Sequence, residues 1–163
     1  MDKFVYLSLY NWAKKNKVVN CINLYTVKFS SKFFFAAYSF TCIILILDRN
    51  SKIIIFLLAP LFLLITNTCL RKLFKRVRPY EKLDLDVNGR DNKESFSFPS
   101  NHAACSSVIA TVIFFINPTL GIFLIICSVI TGISRVIAGI HYPSDIVAGW
   151  SIGALFGMIG FYI

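Results

Sequence analysis

The sequence lacks paired cysteines, strand-like alternation and a leader-like start. Its five cysteines are scattered singly, mostly in apolar runs, without a CxxC pair or a Cys/His cluster. We interpret them as small apolar packing residues and predict neither a disulfide nor a metal site. Period-2 alternation is absent, which argues against β-strands. The first 20 residues contain no continuous apolar stretch followed by small residues, so we predict no signal peptide.

Acidic residues are also scarce. The chain has 8 Asp and Glu against 17 Lys and Arg, which gives a formal net charge of +9. The basic residues are concentrated in the N-terminal segment and in the run LRKLFKRVRP, and they are not interleaved with exposed aromatic residues. This distribution favours membrane lipids, rather than nucleic acid, as the partner.

Apolar residues are abundant, at 56% of 163 residues, which is more than the core of a soluble protein of this size would bury. Five apolar runs approach the roughly 17 to 25 residues that cross a bilayer as a helix. They are residues 31–48, 53–70, 101–117, 119–138 and 146–163. The sequence therefore predicts an all-α fold, a polytopic membrane helical bundle of about five transmembrane helices, forming one membrane-embedded domain over residues 1–163.

The N-terminal residues 1–30 have a different pattern from the bundle predicted over residues 31–163. Apolar side chains are interrupted there by Lys14, Lys15 and Lys17, which is typical of an amphipathic segment lying in the membrane interface. A polar loop is predicted between Tyr80 and Phe98.

Five successive spans place the ends of the second and fourth, and the starts of the third and fifth, on one membrane face. Nearly all the unusual residues for a membrane span fall on this face, and such residues suggest function. They are Arg71, Arg78, Ser100, His102, Arg135, His141 and Asp145.

Each group of these residues also has an ordinary structural explanation. Arg71 and Arg78 are seven residues apart, so on one helix they would share a face and could bind phosphate. Taken alone, however, the run is more typical of a basic flank beside lipid headgroups. Ser100 stands where a helix N-cap is expected. The free N–H groups of the first helical turn could hold an anion, but a Ser-Asn-His sequence alone is more often just a cap with an interfacial histidine.

The segment HYPSD carries more information. Pro143 suits the first turn of a helix, which leaves His141 just outside it and Asp145 close enough to accept a hydrogen bond from the imidazole. The alternative is a helix cap next to a packed histidine. Together, the three groups offer positive charge, helix N-termini, an oriented histidine and a second histidine, a combination suited to phosphoryl transfer without a metal.

The same three segments resemble the three-part signature of the type 2 phosphatidic acid phosphatase superfamily, KxxxxxxRP, PSGH and SRxxxxxHxxxD. They read RKLFKRVRP at residues 71–79, PSNH at 99–102 and SRVIAGIHYPSD at 134–145. Order and internal spacing match, and three spaced motifs are specific where each alone is not. Arg71 stands where the family usually has Lys, and Asn101 replaces Gly. Many members have six spans where this chain has five.

The resemblance implies that His141 attacks phosphorus to form a phosphohistidine, that Asp145 orients it, and that His102 protonates the leaving oxygen and then activates water. It also implies that the phosphoryl oxygens are held by Arg71, Arg78, Arg135, Ser100 and the N–H of Asn101. No cofactor and no metal are expected.

We therefore expect a membrane phosphatase acting on a lipid phosphate or diphosphate, such as undecaprenyl diphosphate, phosphatidylglycerol phosphate, phosphatidic acid or a lipid A phosphate. Phosphotransfer to another acceptor and a non-catalytic scaffold that binds anionic lipid are the alternatives. We expect a multi-pass protein of the cytoplasmic membrane. The lysines before the first span favour a cytoplasmic site by the positive-inside rule. Bacterial members of the family generally work on the outer face, so we predict an extracytoplasmic site.

Overall fold

The computed structural model describes residues 2–83 and 96–162. Among these residues there are seven helices and no β-strand, which confirms the predicted all-α class. They are α1 Asp2–Lys15, α2 Lys17–Leu47, α3 Ile53–Phe74, α4 Pro79–Lys82, α5 Asn101–Ile116, α6 Pro118–Ile137 and α7 Pro143–Tyr162. Residues 84–95 of the predicted polar loop lie outside the described part of the chain.

Four helical segments are long and apolar enough to cross a membrane, and they begin at Lys17, Ile53, Pro118 and Pro143. Helix α5 is a shorter apolar helix of 16 residues. The outer faces of α2 and α3 leave large apolar side chains exposed, including Phe35, Leu47 and Ile54. Exposed apolar surface on this scale is suited to lipid rather than to water. The chain is a multi-pass membrane protein.

The first spanning helix begins earlier than the apolar pattern predicts. Asn16 ends α1 and caps α2, because its side-chain oxygen accepts hydrogen bonds from the N–H groups of Val18 and Val19 at 3.1 and 3.2 Å. From Lys17 the helix then continues without a break to Leu47. Residues 17–30 are therefore continuous with the first span, and only α1 is a separate N-terminal helix.

Helix α5 lies at the centre of the bundle, and its small residues allow α7 to approach it closely. Ala103, Ala104, Ala110 and Val108 are fully buried on α5. On α7, three glycines lie one helical turn apart: Gly149, Gly153 and Gly157. A Cβ atom at Gly149 would lie 2.7 Å from the carbonyl oxygen of Ser100. Small residues at such a spacing are how helices pack closely within lipid.

Candidate active site

The candidate site lies where the N-termini of α5 and α7 meet. Ser100 is the N-cap of α5, as predicted, and its hydroxyl accepts a hydrogen bond from the N–H of Ala103 at 3.4 Å. The N–H of Ser100 donates to the backbone carbonyl of Asp145 at 3.0 Å. This bond joins the two helix starts, so that the free N–H groups and positive dipole ends of both helices lie on the same side of the bundle.

His141 lies in the short segment between α6 and α7. Gly139 turns the chain there with a φ of 81°, a conformation that favours glycine. His141 is only 1% exposed, and its Nδ1 lies 3.6 Å from Oδ2 of Asp145. This separation is longer than a hydrogen bond, so in this structure the carboxylate faces Nδ1 without accepting a hydrogen bond from it. Burial lowers the pKa of His141 below its ordinary value, while the Asp145 carboxylate opposes the shift.

Asp145 is fully buried, and both of its carboxylate oxygens accept hydrogen bonds. Oδ2 accepts hydrogen bonds from the hydroxyl of Ser97 at 2.6 Å and from the N–H of Tyr142 at 2.9 Å. In the second bond, the third residue of α7 accepts from the backbone of the N-cap residue, as in a capping box. Oδ1 accepts from the guanidinium of Arg76 at 2.6 Å. These hydrogen bonds hold the buried carboxylate in one orientation.

The three predicted arginines belong to different parts of the fold: Arg71 lies in α3, Arg78 directly before α4 and Arg135 in α6. The positive charges of Arg71, Arg78 and Arg135 all act on His102. Arg71 donates to the carbonyl of Phe96, and Arg135 donates to the carbonyl of Val27 and the hydroxyl of Ser30 at 3.0 and 3.2 Å.

The prediction that Arg71 and Arg78 share one helix face is wrong. Helix α3 ends at Phe74, because Lys75 adopts a left-handed conformation with a φ of 44° and its N–H donates to the carbonyl of Arg71. Arg78 therefore lies beyond the helix, directly before α4, where it is 6% exposed. The two arginines therefore belong to separate elements.

Asn101 and His102 occupy the first turn of α5. The side-chain oxygen of Asn101 accepts a hydrogen bond from the amide of Asn67, a buried residue of α3. Asn101 and His102 line a cavity of about 680 Å³ together with further residues of α5 and residues of α2, α3 and α6, most of them apolar, such as Phe34, Leu61 and Leu64. Cavities of this size hold small ligands or parts of large ones.

Sequence reasoning missed four side chains in and around the site: Asp2, Asn67, Arg76 and Ser97. Arg76 looked like one more cation of a basic flank, and Asp2 is a single carboxylate near the start of the chain. Only the folded structure gives these residues their partners.

The chain is similar in sequence to a known protein family and to curated relatives. The family model described as the PAP2 superfamily matches residues 52–163. A lipid A 4'-phosphatase of Bacteroides thetaiotaomicron is 36% identical over 105 residues, which are 60% of this chain and 46% of that protein. An undecaprenyl-diphosphatase of Sulfolobus acidocaldarius is 28% identical over 116 residues, which are 70% of this chain and 56% of that protein. The chain thus spans about half the length of these curated relatives.

The fold also matches a solved structure. The crystal structure of a transmembrane PAP2 type phosphatidylglycerolphosphate phosphatase from Bacillus subtilis superposes with a TM-score of 0.78 at 22% identity. The match covers 99% of this chain and 83% of that one. At this identity the likeness shows the helical arrangement alone.

Proposed function

The chain belongs to the PAP2 superfamily, and from this membership we propose that it is an integral-membrane phosphatase that hydrolyses a lipid phosphate or diphosphate. The observation that carries the proposal is the buried His141–Asp145 pair, with His102 and three arginines grouped near it at the starts of two helices. Binding of anionic headgroups alone would not require a buried histidine with an orienting carboxylate.

The first step is attack of His141 on phosphorus. Because Nδ1 faces Asp145, Nε2 is the nitrogen left for the substrate. An N–P bond forms as the bond from phosphorus to the leaving oxygen breaks, and His102 donates a proton to that oxygen, which is the lipid oxygen of a monoester or the bridging oxygen of a diphosphate. Asp145 stabilises the positive charge that the imidazole acquires.

In the second step, His102, now deprotonated, takes a proton from water. The water oxygen bonds to phosphorus, the N–P bond breaks, and inorganic phosphate leaves, whether the substrate was a monoester or a diphosphate. Arg71, Arg78 and Arg135, with the Ser100 hydroxyl and the Asn101 N–H, hold the phosphoryl oxygens whose charge must be stabilised.

The cavity beside His102 supports a lipid as the substrate. Its lining residues Phe35 and Leu61 are 70% and 51% exposed, so the cavity opens between α2 and α3 on the apolar outer surface. A lipid can therefore keep its chain in hydrocarbon while its phosphate reaches the helix N-termini. The relatives are named for lipid A, undecaprenyl diphosphate and phosphatidylglycerol phosphate, which share a phosphate on an apolar anchor.

We place the protein in the cytoplasmic membrane with its site on the extracytoplasmic side. An introduced cysteine at exposed Lys82, in a background with the native cysteines replaced by serine, tests the orientation in intact cells. Labelling by a membrane-impermeant reagent before permeabilisation supports this placement. Labelling only afterwards reverses it.

The experiment that tests the reaction uses purified protein in lipid nanodiscs and measures phosphate release from a panel of lipid phosphates. His141→Ala should lose several orders of magnitude in rate. For His102→Ala we expect a large loss with lipid substrates and a smaller loss in the first step with p-nitrophenyl phosphate, whose leaving group needs no proton.

The phosphoenzyme gives the sharper comparison. His102→Ala should accumulate it on p-nitrophenyl phosphate, because the second step still needs a base, whereas His141→Ala should form none. Near-normal turnover by His141→Ala would refute the covalent mechanism.

A further inference from the structure

Arg76 is held between two carboxylates. Its Nη1 donates to Oδ1 of Asp145 at 2.6 Å and to the hydroxyl of Ser144 at 2.7 Å, while its Nη2 donates to Oδ2 of Asp2 at 2.7 Å. The guanidinium carbon also lies 4.3 Å from the centre of the Tyr142 ring. Both ends of the fork are therefore occupied by protein groups.

The backbone of Arg76 supports the same carboxylate by a second route. Its carbonyl oxygen accepts a hydrogen bond from the N–H of Ser97 at 2.8 Å, and the Ser97 hydroxyl donates to Asp145. Arg76 thus fixes Oδ1 of Asp145 directly and Oδ2 through Ser97. Oδ2 is the oxygen that lies nearest Nδ1 of His141.

Asp2 connects this arrangement to α1. Besides Arg76, its carboxylate accepts hydrogen bonds from the N–H and the hydroxyl of Ser144, at 3.1 and 2.5 Å. The Ser144 N–H belongs to the first turn of α7 and has no partner within its own helix, so Asp2 caps α7 from another helix. Partial burial alone would raise the pKa of Asp2, but the bonds from Ser144 and Arg76 lower it below its usual range.

Helix α1 is packed firmly enough to hold Asp2 in place. Tyr6 is fully buried, its ring meets that of Tyr142 edge-on at 5.6 Å, and its hydroxyl donates to the carbonyl of Gly139 at 3.5 Å. Tyr10 and Ala13 are buried on the same helix. Helix α1 therefore contacts the segment that carries His141 on both sides of the histidine, at Gly139 and at Tyr142.

From these contacts we propose that Arg76 and Asp2 are positioning residues: Arg76 sets the Asp145 carboxylate against His141, and Asp2, from the N-terminal helix, sets Arg76. The proposal rests on the phosphohistidine mechanism proposed above. It gives α1 a role in turnover, in addition to any role in anchoring the protein to the membrane surface.

The competing assignment is that Arg76 binds the substrate phosphate, as its place between Arg71 and Arg78 in the sequence suggests. Its surroundings argue against this. One guanidinium with two carboxylates at 2.6 and 2.7 Å has a local charge sum of −1, which repels a phosphate dianion.

Steady-state kinetics in nanodiscs, with the affinity tag at the C-terminus, separate the two assignments. Arg76→Ala should lower kcat roughly 10- to 100-fold with KM within about twofold, a loss of the size found when the outer partners of metal-binding histidines are removed. Asp2→Ala should lower kcat less. The double variant should lose less than the product of the two single losses, because Asp2 acts mainly through Arg76 and has only its cap on Ser144 as a separate route. Lys72→Ala, which removes an exposed cation from the same run, should leave both constants unchanged.

Three results would overturn the proposal: a raised KM with kcat retained in Arg76→Ala, an Asp2→Ala enzyme equal to wild type, or losses that multiply in the double variant. If Arg76→Ala does not fold, Arg76→Lys replaces it, since one ammonium cannot bridge both carboxylates. In the Arg76→Lys background, Asp2→Asn should change kcat little. A loss as large as the one that Asp2→Asn causes in the otherwise wild-type enzyme would contradict the proposal that Asp2 acts through Arg76.

The wild-type control tells the two proposals apart. A wild-type enzyme that releases no phosphate from any lipid refutes the proposed function. An active wild-type enzyme with unaffected Asp2 variants refutes only the positioning role.

Discussion

Replacing Gly153 by alanine tests whether the close packing of α5 and α7 aligns the site. A Cβ atom at Gly153 would overlap the carbonyl oxygen of Ala104 and lie 2.7 Å from Cβ of Ser107. Carbon atoms in ordinary contact are about 3.5 to 4.0 Å apart, so the helices must separate by about 1 Å. Overpacking of this kind costs about 1 to 3 kcal/mol.

The higher helix propensity of alanine acts in the opposite direction and offsets part of the cost of overpacking. Glycine to alanine inside a helix stabilises it by about 1 kcal/mol when nothing obstructs the methyl group. We therefore expect a net destabilisation of up to about 2 kcal/mol, seen as a lower midpoint of thermal unfolding by tryptophan fluorescence. Because His102 is on α5 and Asp145 on α7, a shift of about 1 Å should also lower kcat, by up to about 100-fold.

Gly160 supplies the matched control on the same helix. A Cβ atom there would lie 3.1 Å from Cβ of Ala59 and 3.2 Å from Cγ2 of Ile55, both of them side-chain atoms. Gly160→Ala should leave kcat unchanged and shift the unfolding midpoint less than Gly153→Ala. If Gly153→Ala is as stable as wild type and turns over normally, α7 does not depend on this close approach, and our reasoning about helix alignment fails.

Three further predictions concern the chemistry. Asp145→Asn should lower kcat by orders of magnitude with little change in KM, because an amide favours the wrong imidazole tautomer; a main effect on KM would contradict this. Activity should survive chelators and be inhibited by vanadate, and restoration of chelated enzyme by one divalent ion would count against the metal-free mechanism. Since burial lowers the pKa of His141 below its ordinary value of 6.5, the acidic limb of the kcat/KM profile should have its midpoint below pH 6.5, and a midpoint above that value would contradict the assignment of His141 as the nucleophile.

Local rules explain which features the sequence could predict. Ser100 before an apolar run and Pro143 after a polar segment mark helix starts through their own backbone and side-chain chemistry, and both begin helices as expected. The apolar runs predict the spans because the bilayer imposes a length on them. The three motifs predict a common site because their spacing is long and specific.

Features that depend on tertiary contacts were beyond sequence reasoning. The turn at Lys75 uses a residue with no preference for a left-handed backbone, so the end of α3 before Arg78 had no local signal. The ion pair between Asp2 and Arg76 joins residues 74 positions apart, and neither differs in the sequence from ordinary surface charges. The sequence predicts the first span from residue 31, whereas α2 begins at Lys17, because Lys17 and its polar neighbours have the composition of an interfacial segment.

The cavity between α2 and α3 also affects how this protein should be handled in solution. An apolar space of about 680 Å³ that opens on the outer surface does not distinguish the chain of a lipid from that of a detergent. Solubilising detergent is then a competitive ligand, present in large excess over any substrate dispersed in the same micelles. Apparent KM values should rise with the detergent fraction of the micelle while kcat stays constant, and only measurements in a lipid bilayer report the affinity for substrate itself.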